Sequence, residues 1–331
     1  MSGSKNRLTR RGFLAWAAAG GAALAGLRAL ARLRAPLRVR GHASSELKGG
    51  LAIIHGSAAR PKDEADVIRR MVRAAVDALG GMRKLVRGGS SVIIKPNLAW
   101  ASPPAMAANT NPHTVAALVE LCREAGAGRI RVMDHTIGPD PETSYEMSGV
   151  AAAAAAAGAE IAYVDARRFV ELPVPGGAAL KSWLFYEEFI SAAGCDVLIN
   201  VPVLKHHGTS RLTMGLKNAF GMVGGQRGDL HRDIHRKIAD LHRVIKVDLT
   251  VLDAYRVMRT HGPTGGRLED VDNTPEGARR IVAGTDVVAV DACGAEVFGY
   301  KPEDVGFIRH AAEARLGSLD WRSLLVTEEG I

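Results

Sequence analysis

The sequence predicts an α/β fold in which a mostly parallel sheet is covered by helices on both faces. Short apolar runs recur along the whole chain, helical patterns lie between most of them, and helix start and stop signals separate the two. Strands that are buried on both faces give such uninterrupted apolar runs. With 331 residues, of which 47% are hydrophobic and 24% charged, the chain is long enough to bury a large core without disulfides.

Alternating strands and helices account for most of the chain. The predicted strands are 51–55, 91–95, 129–134, 160–165, 196–201, 248–253 and 280–283. The predicted helices are 63–79, 112–125, 144–157 and 286–298. Pro112 suits a first helical turn, Gly126 and Gly158 suit helix ends, and the alanine tract 151–157 favours a closely packed helix. Segment 167–177 is richer in Pro and Gly, and we expect a small β excursion or subdomain there.

The net charge of +8 belongs to the N-terminal part of the chain. Nine of the 43 basic residues lie within residues 1–43, which contain no acidic residue. The remaining 34 basic residues face 35 acidic ones, so the rest of the chain carries a net charge of about −1. A nucleic-acid partner is therefore not expected, because the globular part lacks the basic excess that such binding requires.

Neither the cysteines nor the standard motifs indicate a particular cofactor. Cys122, Cys195 and Cys293 are widely spaced and form no Cys-x-x-Cys pair, so we expect small buried side chains and no iron–sulfur cluster built from the chain's own thiolates. The sequence has no Walker phosphate-binding loop, no Gly-x-Gly-x-x-Gly after a strand and no Gly-x-Ser-x-Gly elbow. Nucleotide hydrolysis, dinucleotide redox chemistry and serine hydrolysis thus have no support.

The N-terminus resembles a twin-arginine (Tat) export signal. Residues 9–14 read TRRGFL, and an apolar run over 14–27 follows them. That run is shorter than the ~20 residues that span a bilayer and suits the apolar region of a signal peptide. The resemblance implies a periplasmic or extracytoplasmic protein that uses the twin-arginine machinery and contacts the membrane only through its leader. Such signals also raise the expectation of a cofactor or metal loaded before export.

Small residues at Gly41-His42-Ala43 are a candidate cleavage site, which divides the chain into a leader, 1–43, and an α/β domain, 44–331. The alternative is a basic amphipathic helix that remains attached as a membrane anchor. Arg28, Arg32 and Arg34 favour that alternative.

Polar side chains follow five of the predicted strands. They are Lys95 and Asn97, then Asp134, Asp165, the trio Lys205, His206 and His207, and finally Asp253. In open parallel sheets, ligands bind beyond the carboxyl ends of the strands. The sequence therefore predicts a ligand pocket at this edge of the sheet.

An anion site is predicted within the stretch 205–218. We expect Thr213 to cap a helix that carries Lys217 and Asn218 in its first turns, so that free backbone N–H groups and the lysines surround a carboxylate or phosphate. Thr209 is a further candidate contact. Because neighbouring residues of an extended segment point to opposite sides, only one of His206 and His207 is expected to enter the pocket.

A second group of histidines has helical spacing. His231 and His235 are four residues apart, and on one helix they would share a face and could hold a divalent metal. The stretch lacks the His-Glu-x-x-His pattern, and its charged neighbours are equally typical of a solvated helix face.

These residues resemble the domain of unknown function 362 family over roughly residues 50–317. The matching elements are Lys95-Pro96-Asn97, Asn111-Pro112, the run 200–206 with Thr209 and Thr213, Lys217-Asn218 with Gly221, Asp253-Ala254, Gly262-Pro263, and 283–286 leading to Asp291-Ala292. The family is defined without an agreed activity. Some members look like iron–sulfur proteins with an added cysteine cluster, a pattern from which this chain departs.

The sequence leaves two functional classes open. In the first, an exported enzyme acts on a small anionic metabolite held by Lys95, Lys205 and Lys217. His206 is then the acid–base group or metal ligand, and Asp134 and Asp253 are its carboxylate partners. In the second, the protein is a non-catalytic extracytoplasmic binding protein or maturation factor, with a hinge near 167–177.

Overall fold

The computed structural model describes residues 37–331 except 44, 45, 48, 58–62, 139 and 265. The predicted export motif, its apolar run and the basic residues at 28–34 lie outside the described residues. Residues 39–331 form one compact unit, and of the other unit, 1–38, only residues 37 and 38 are described. Among the described helices, none has both the length and the apolar character needed to cross a membrane.

The described residues form strands and helices in the alternating order that the sequence predicts. The strands are β1 Gly50–His55, β2 Ser91–Pro96, β3 Arg129–Val132, β4 Glu160–Ile161, β5 Phe169–Pro173, β6 Ser182–Tyr186, β7 Val197–Val201, β8 Val203–His207, β9 Arg211–Thr213, β10 Leu249–Met258, β11 Val271–Asp272, β12 Arg280–Gly284 and β13 Leu325–Gly330. The α-helices are α1 Glu64–Ala78, α2 Pro112–Glu124, α3 Pro141–Met147, α4 Val150–Ala157, α5 Glu187–Ile190, α6 Ile234–Leu241, α7 Val287–Phe298 and α8 Gly306–Glu313.

One large sheet of eleven strands organises the fold, and its main path runs β13-β1-β12-β10-β7-β2-β3-β4. Parallel pairs join β2 to β3 and β7, β3 to β4, β10 to β7 and β8, and β1 to β13. The prediction of a mostly parallel sheet is confirmed. An exception is β12, which runs antiparallel to both β1 and β10. The connection from β10 to β12, residues 259–279, contains no α-helix among its described residues, whereas parallel neighbours are usually joined by a helical crossover.

Both faces of the sheet are buried, as its apolar strands predict. Side chains of β1 alternate between two cores. Ala52 and Ile54 lie in the core that α1, α2 and α4 cover. Leu51 and Ile53 lie in the opposite core, which α6, α7 and α8 cover.

Three predicted elements have other bounds in the structure. The helix over 144–157 is broken at Gly149, whose φ of 72° is left-handed, so that α3 and α4 are separate. The strand over 160–165 is reduced to β4, and Asp165 accepts a hydrogen bond from Arg167 N at 3.0 Å to start a short 3₁₀ turn. The strand expected to end at Asp253 continues to Met258, because β12, β8 and β11 keep pairing with it.

The β excursion predicted over 167–177 is present. Strands β5 and β6 form a separate two-stranded antiparallel sheet, with Phe169 opposite Tyr186. The hairpin lies within the compact unit formed by residues 39–331. The hinge that the binding-protein alternative expects near residues 167–177 stays a prediction.

An N-terminal arm joins the body upstream of the proposed boundary at residues 43 and 44. Arg40 is 5% exposed, its guanidinium pairs with the buried Asp248, and its backbone N–H donates to Ile190 O at 2.8 Å. Asp248 also accepts from Ala43 N at 2.6 Å and Leu198 N at 2.8 Å. The candidate cleavage site thus lies inside a segment that is hydrogen-bonded into the fold.

Candidate functional site

A cavity of about 480 Å³ opens at the carboxyl edge of the sheet, within the size range of small-ligand sites. Strands β2, β3, β8 and β9 deliver side chains to it, together with the loop that follows β9. Eight of the residues predicted from the sequence line it, namely Lys95, Asn97, Asp134, Lys205, Thr213, Lys217, Asn218 and His231. Seven of them were expected at this edge of the sheet, whereas His231 was predicted as part of a separate metal pair.

Lys95 and Asp134 form a buried ion pair in the cavity wall. The Nζ of Lys95 lies 2.7 Å from Asp134 Oδ1, and both side chains are at most 3% exposed. Lys95 Nζ also donates to Pro96 O and to Asn218 Oδ1, each at 2.8 Å. Asp134 Oδ2 accepts from Leu98 N at 2.7 Å. Burial lowers the pKa of Lys95, Asp134 opposes that shift, and three acceptors saturate the ammonium.

An amide network holds Lys95 in place. Asn218 Oδ1 accepts from Lys95 and from Asn97 Nδ2, the latter at 3.1 Å, and Asn218 Nδ2 donates to Asn200 Oδ1 at 2.8 Å. Asn200 Nδ2 in turn donates to Gly215 O at 3.0 Å. Because every amide here has a partner, the network fixes side-chain positions before any ligand arrives.

Lys205 is the second buried lysine and is also well partnered. Its Nζ donates to Ala108 O, to Pro263 O at 3.1 Å and more weakly to Asn97 Oδ1 at 3.4 Å. Burial, and then the charge of Lys217, lower the pKa of Lys205 well below its usual value. Only an ammonium has three hydrogens for three carbonyl acceptors, so the geometry favours a charged, structural Lys205.

Lys217 differs from the other two lysines. It is 8% exposed and lines the cavity, yet its Nζ has no hydrogen-bond or ion-pair partner among the residues that the structure describes. Its ammonium lies over the ring of Phe220, whose centroid is 4.7 Å from Nζ. Burial, and then the charge of Lys95, lower the pKa of Lys217 to about 7.

Thr213 does not cap a helix, which corrects the predicted anion cradle. It ends β9, and the chain then forms a 3₁₀ helix over Lys217–Met222. The free N–H groups expected there already have a carboxylate, since Gly215 N and Leu216 N donate to the two oxygens of Asp291 at 2.7 and 2.8 Å. Thr213 still lines the cavity, and its Oγ1 is buried without a partner in the described part of the chain.

His207 enters the cavity, whereas the predicted His206 does not line it. Alternation along β8 explains this, because Lys205 and His207 share one face of the strand. His207 Nδ1 accepts from Thr209 N at 3.1 Å and Ser210 N at 3.2 Å, which leaves the ring proton on Nε2. Burial, and then Lys217, lower the pKa of His207 to about 3, so the ring is a neutral donor. His206 Nδ1 instead accepts from Gly262 N at 3.2 Å.

Thr209, Asp165 and Asp253, which were also predicted to contribute to the site, lie outside the cavity lining. Thr209 is exposed, and its backbone N–H orients His207. Asp253 lies in the middle of β10, where its carboxylate accepts from Asn111 N at 2.7 Å and Tyr255 N at 3.1 Å. Burial raises the pKa of Asp253 to about 6. Its geometry is that of a carboxylate that ties a loop to the sheet.

His231 and His235 do not share a helix face, which corrects the proposed metal pair. The first ends a 3₁₀ helix, Arg227–His231, while α6 begins at Ile234 after Asp233 with φ 57°. His231 stacks on His207 with ring centroids 6.1 Å apart, whereas His235 stacks on Phe307. Within the described ranges no group of three or more His, Cys, Asp or Glu residues is arranged to hold a metal ion. The three cysteines are buried and unpaired, as expected.

Several lining residues were missed by reasoning from strand ends. Trp100 and Ile137 line the cavity from loops, and Phe220 and Arg227 line it from short 3₁₀ helices. Arg227 donates to the carbonyls of Thr136, His135 at 2.8 Å and Phe220 at 3.3 Å. Loops and single 3₁₀ turns carry no periodic pattern, so the sequence offered no signal for these residues. His207 could have been found, because it lies two residues after Lys205 on a strand.

The lining has a marked excess of positive charge. Four basic side chains, Lys95, Lys205, Lys217 and Arg227, face one carboxylate, Asp134. Burial is the main cause that lowers the pKa of each of the four. A cavity of this kind attracts anions and favours them over neutral or cationic molecules.

The comparisons with known proteins name no activity for the proteins that this chain resembles. The family model described as a domain of unknown function, DUF362, matches residues 92–296. A protein named thylakoid-associated protein, from Synechocystis sp., is 28% identical over 268 residues, which cover 77% of this chain and 76% of the relative. A crystal structure of a Thermotoga maritima protein aligns with a TM-score of 0.40 and 9% identity, over 75% of this chain and 59% of that one. The match to the family model shows that the chain belongs to the DUF362 family.

Proposed function

We propose that the cavity binds a small anion, a carboxylate or a phosphate, and that Lys217 is its principal contact. The observation that carries this proposal is a buried ammonium with no acceptor among the described residues. A buried charge without a partner is costly, and an anionic ligand is the group that would remove that cost. The excess of basic side chains in the lining supports the same ligand class.

Two neutral donors support the proposed anion site. Thr213 Oγ1 is buried without a partner in the described part of the chain, and His207 keeps its proton on Nε2. A carboxylate or phosphate has enough lone pairs to accept from both of them and from Lys217 together. The proposed ligand therefore provides one acceptor group for the side chains of Lys217, Thr213 and His207.

The rest of the cavity suggests the body of the ligand. Trp100, Ile137 and Phe220 contribute apolar surface to the lining. Ligand sites commonly combine such surface with a few polar groups that fix orientation. We propose an anionic head with an apolar or aromatic portion, of a size that fits about 480 Å³.

Binding is better supported than acid–base transformation of the ligand. Asp134 is engaged by Lys95 and Leu98 N, and Asp253 by two backbone N–H groups. His206 accepts from Gly262 N and lies outside the lining. A general base must lie within reach of the substrate and be free to take its proton. Asp253 and His206 lie outside the lining, and Asp134 is paired with the ammonium of Lys95.

Thermal-shift assays followed by calorimetry test the anion site. Acetate and acetamide form a matched pair of charged and neutral probes, and phosphate, citrate and divalent metals complete the panel. We expect stabilisation by anions alone, and Lys217→Met and Thr213→Val should weaken it. Lys301→Met, which changes an exposed lysine outside the lining, is the control. The proposal fails if no anion binds, or if Lys217→Met binds anions as well as the unmodified protein.

We also propose that the protein is exported by the twin-arginine route to the periplasm or another extracytoplasmic compartment. The TRRGFL stretch and the concentration of basic residues in 1–43 support this proposal. The Synechocystis relative is named as a thylakoid-associated protein. Replacing Arg10 and Arg11 by Lys should leave the protein in the cytoplasm of an exporting host. The paired change of Arg28 and Arg32 to Lys is the control, and equal export of both variants would refute the route.

A further inference from the structure

Lys217 is chemically distinct from the other lysines of the cavity. The Nζ atoms of Lys95 and Lys205 each donate to three acceptors, so their lone pairs are not available. The Nζ of Lys217 has no acceptor among the described residues and faces the ring of Phe220 at 4.7 Å. Deprotonation of Lys217 therefore breaks no hydrogen bond, and it leaves an amine whose lone pair is open to the cavity.

Resting on the anion site proposed above, we propose that Lys217 is a nucleophile that forms an imine with the carbonyl group of an oxo acid. This inference names the ligand class: a small anion that carries an aldehyde or a ketone. Amines act in this way when a hydrophobic pocket and a neighbouring cation keep part of their population neutral. Both conditions are met here, by burial and by Lys95.

The charge state of Lys217 supports the proposal. Its pKa is lowered to about 7, so roughly half of the side chain is neutral at neutral pH, whereas an exposed lysine near 10.4 is almost wholly charged. The remaining cations of the site, Lys95, Lys205 and Arg227, still attract the acid group of the ligand when Lys217 is neutral.

The reaction needs no group beyond those in the cavity and water. The lone pair of Nζ forms a C–N bond to the carbonyl carbon, and the π pair of the C=O bond moves to oxygen. His207 Nε2–H and the Thr213 hydroxyl are placed in the lining to donate to that oxygen. A proton passes from nitrogen to oxygen, and the carbinolamine then loses water to give the imine. One amine and one carbonyl thus yield one imine and one water, with no change of oxidation state.

Reductive trapping tests this chemistry in the full-length protein. Glyoxylate, the smallest oxo acid with an aldehyde, is added with cyanoborohydride, and every lysine is mapped by peptide mass spectrometry. We expect carboxymethylation mainly at Lys217, while Lys95 and Lys205 stay unmodified. Propionaldehyde is the uncharged comparison, and the positive cavity should make glyoxylate label Lys217 at least about tenfold faster. Phosphate should slow the labelling by glyoxylate.

The outcomes separate the two proposals. If phosphate or acetate binds but Lys217 is labelled no faster than the exposed Lys301, the imine is refuted and the anion site stands. If no anion binds and Lys217 is not labelled, both fail. If propionaldehyde labels Lys217 as fast as glyoxylate, the oxo-acid class is refuted. Lys217→Met must lose the adduct while Lys301→Met retains it, and circular dichroism confirms that both variants are folded.

Discussion

Lys95 and Lys217 line the same cavity, but within the part of the chain that the structure describes only Lys95 is paired with a carboxylate, the Oδ1 atom of Asp134 at 2.7 Å. The contrast follows from their positions. Lys95 is the penultimate residue of β2, where Pro96, Asn218 and Asp134 supply acceptors. Lys217 begins a 3₁₀ helix beside an aromatic ring. Lys95 therefore has a structural role in the cavity wall, and Lys217 is available to bind a ligand.

Lys217→Met should stabilise the ligand-free protein. It removes a buried charge that has no acceptor among the described residues and that the charge of Lys95 disfavours. Because one unit of pKa difference between the folded and unfolded states corresponds to about 1.4 kcal/mol, the free energy of unfolding at pH 7 should rise by on the order of a few kcal/mol. The pKa of Lys217 is about 7 in the folded state and near 10.5 in the unfolded state. Between these two pH values the unfolded state binds more protons than the folded state, so the free energy of unfolding rises with pH. The destabilising effect of Lys217 therefore becomes smaller as the pH increases. Urea unfolding at pH 7 and pH 9 should show a smaller gain at pH 9. An equal or larger gain at pH 9 would contradict the account.

The Lys95–Asp134 pair is expected to be strongly coupled. Lys95→Met leaves a buried carboxylate unpaired and should cost about 3–5 kcal/mol of stability. Adding Asp134→Asn to that variant should recover much of the loss, because no uncompensated charge remains. A double-mutant cycle by urea unfolding measures the coupling. Additive effects of the two changes would show that the pair is not formed as described.

Gly221 is required beside that pair. A Cβ atom there would overlap Asp134 Oδ1 and lie 2.6 Å from Lys95 Nζ. Gly221→Ala should therefore lower the melting temperature and abolish anion binding. Gly228 also lines the cavity, but a Cβ at that position meets nothing within 4 Å. Gly228→Ala is thus a matched control, and equal behaviour of the two variants in thermal unfolding would refute the packing.

Arg40 should be needed for a stable body. Its guanidinium neutralises Asp248 in a buried position, so Arg40→Ala is expected to cost about 3–5 kcal/mol, while Arg38→Ala, an exposed change, should cost little. Chemical denaturation of both variants checks this. If Arg40→Ala leaves the free energy of unfolding unchanged, the arm over residues 39–43 does not contribute to the stability of the body.

The sequence predicted the layered architecture because its signals are local. The apolar runs and the helix start at Pro112 can be recognised from neighbouring residues alone. Asp286, at the start of another predicted helix, caps α7 by accepting a hydrogen bond from Val288 N at 2.8 Å. The antiparallel β12 and the long β10 were not predictable, because pairing partners are chosen by the whole chain. The break at Gly149 was not predicted because the alanine tract 151–157, which strongly favours a helix, follows it closely.

The candidate site was predicted to the extent that strand ends supply it. Lys95, Asp134 and Lys205 lie at or just after the ends of predicted strands, and all three line the cavity. The predicted helix cap at Thr213 was wrong because a distant carboxylate, Asp291, takes the N–H groups that a ligand was expected to occupy. Such a contact over 76 positions of sequence leaves no local pattern.

Proton uptake on anion binding tests the central claim most directly. Calorimetric titration of phosphate at pH 8, in two buffers of different ionisation enthalpy, measures the protons bound with the ligand. An anion bound to Lys217 should raise the pKa of this lysine from about 7, although the charges of Lys95 and Lys205 oppose that rise. His207 is neutral at pH 8 and does not contribute. Close to one proton should therefore be taken up by each protein molecule that binds the anion. Lys217→Met should take up none. Binding without proton uptake in the unmodified protein would contradict the account.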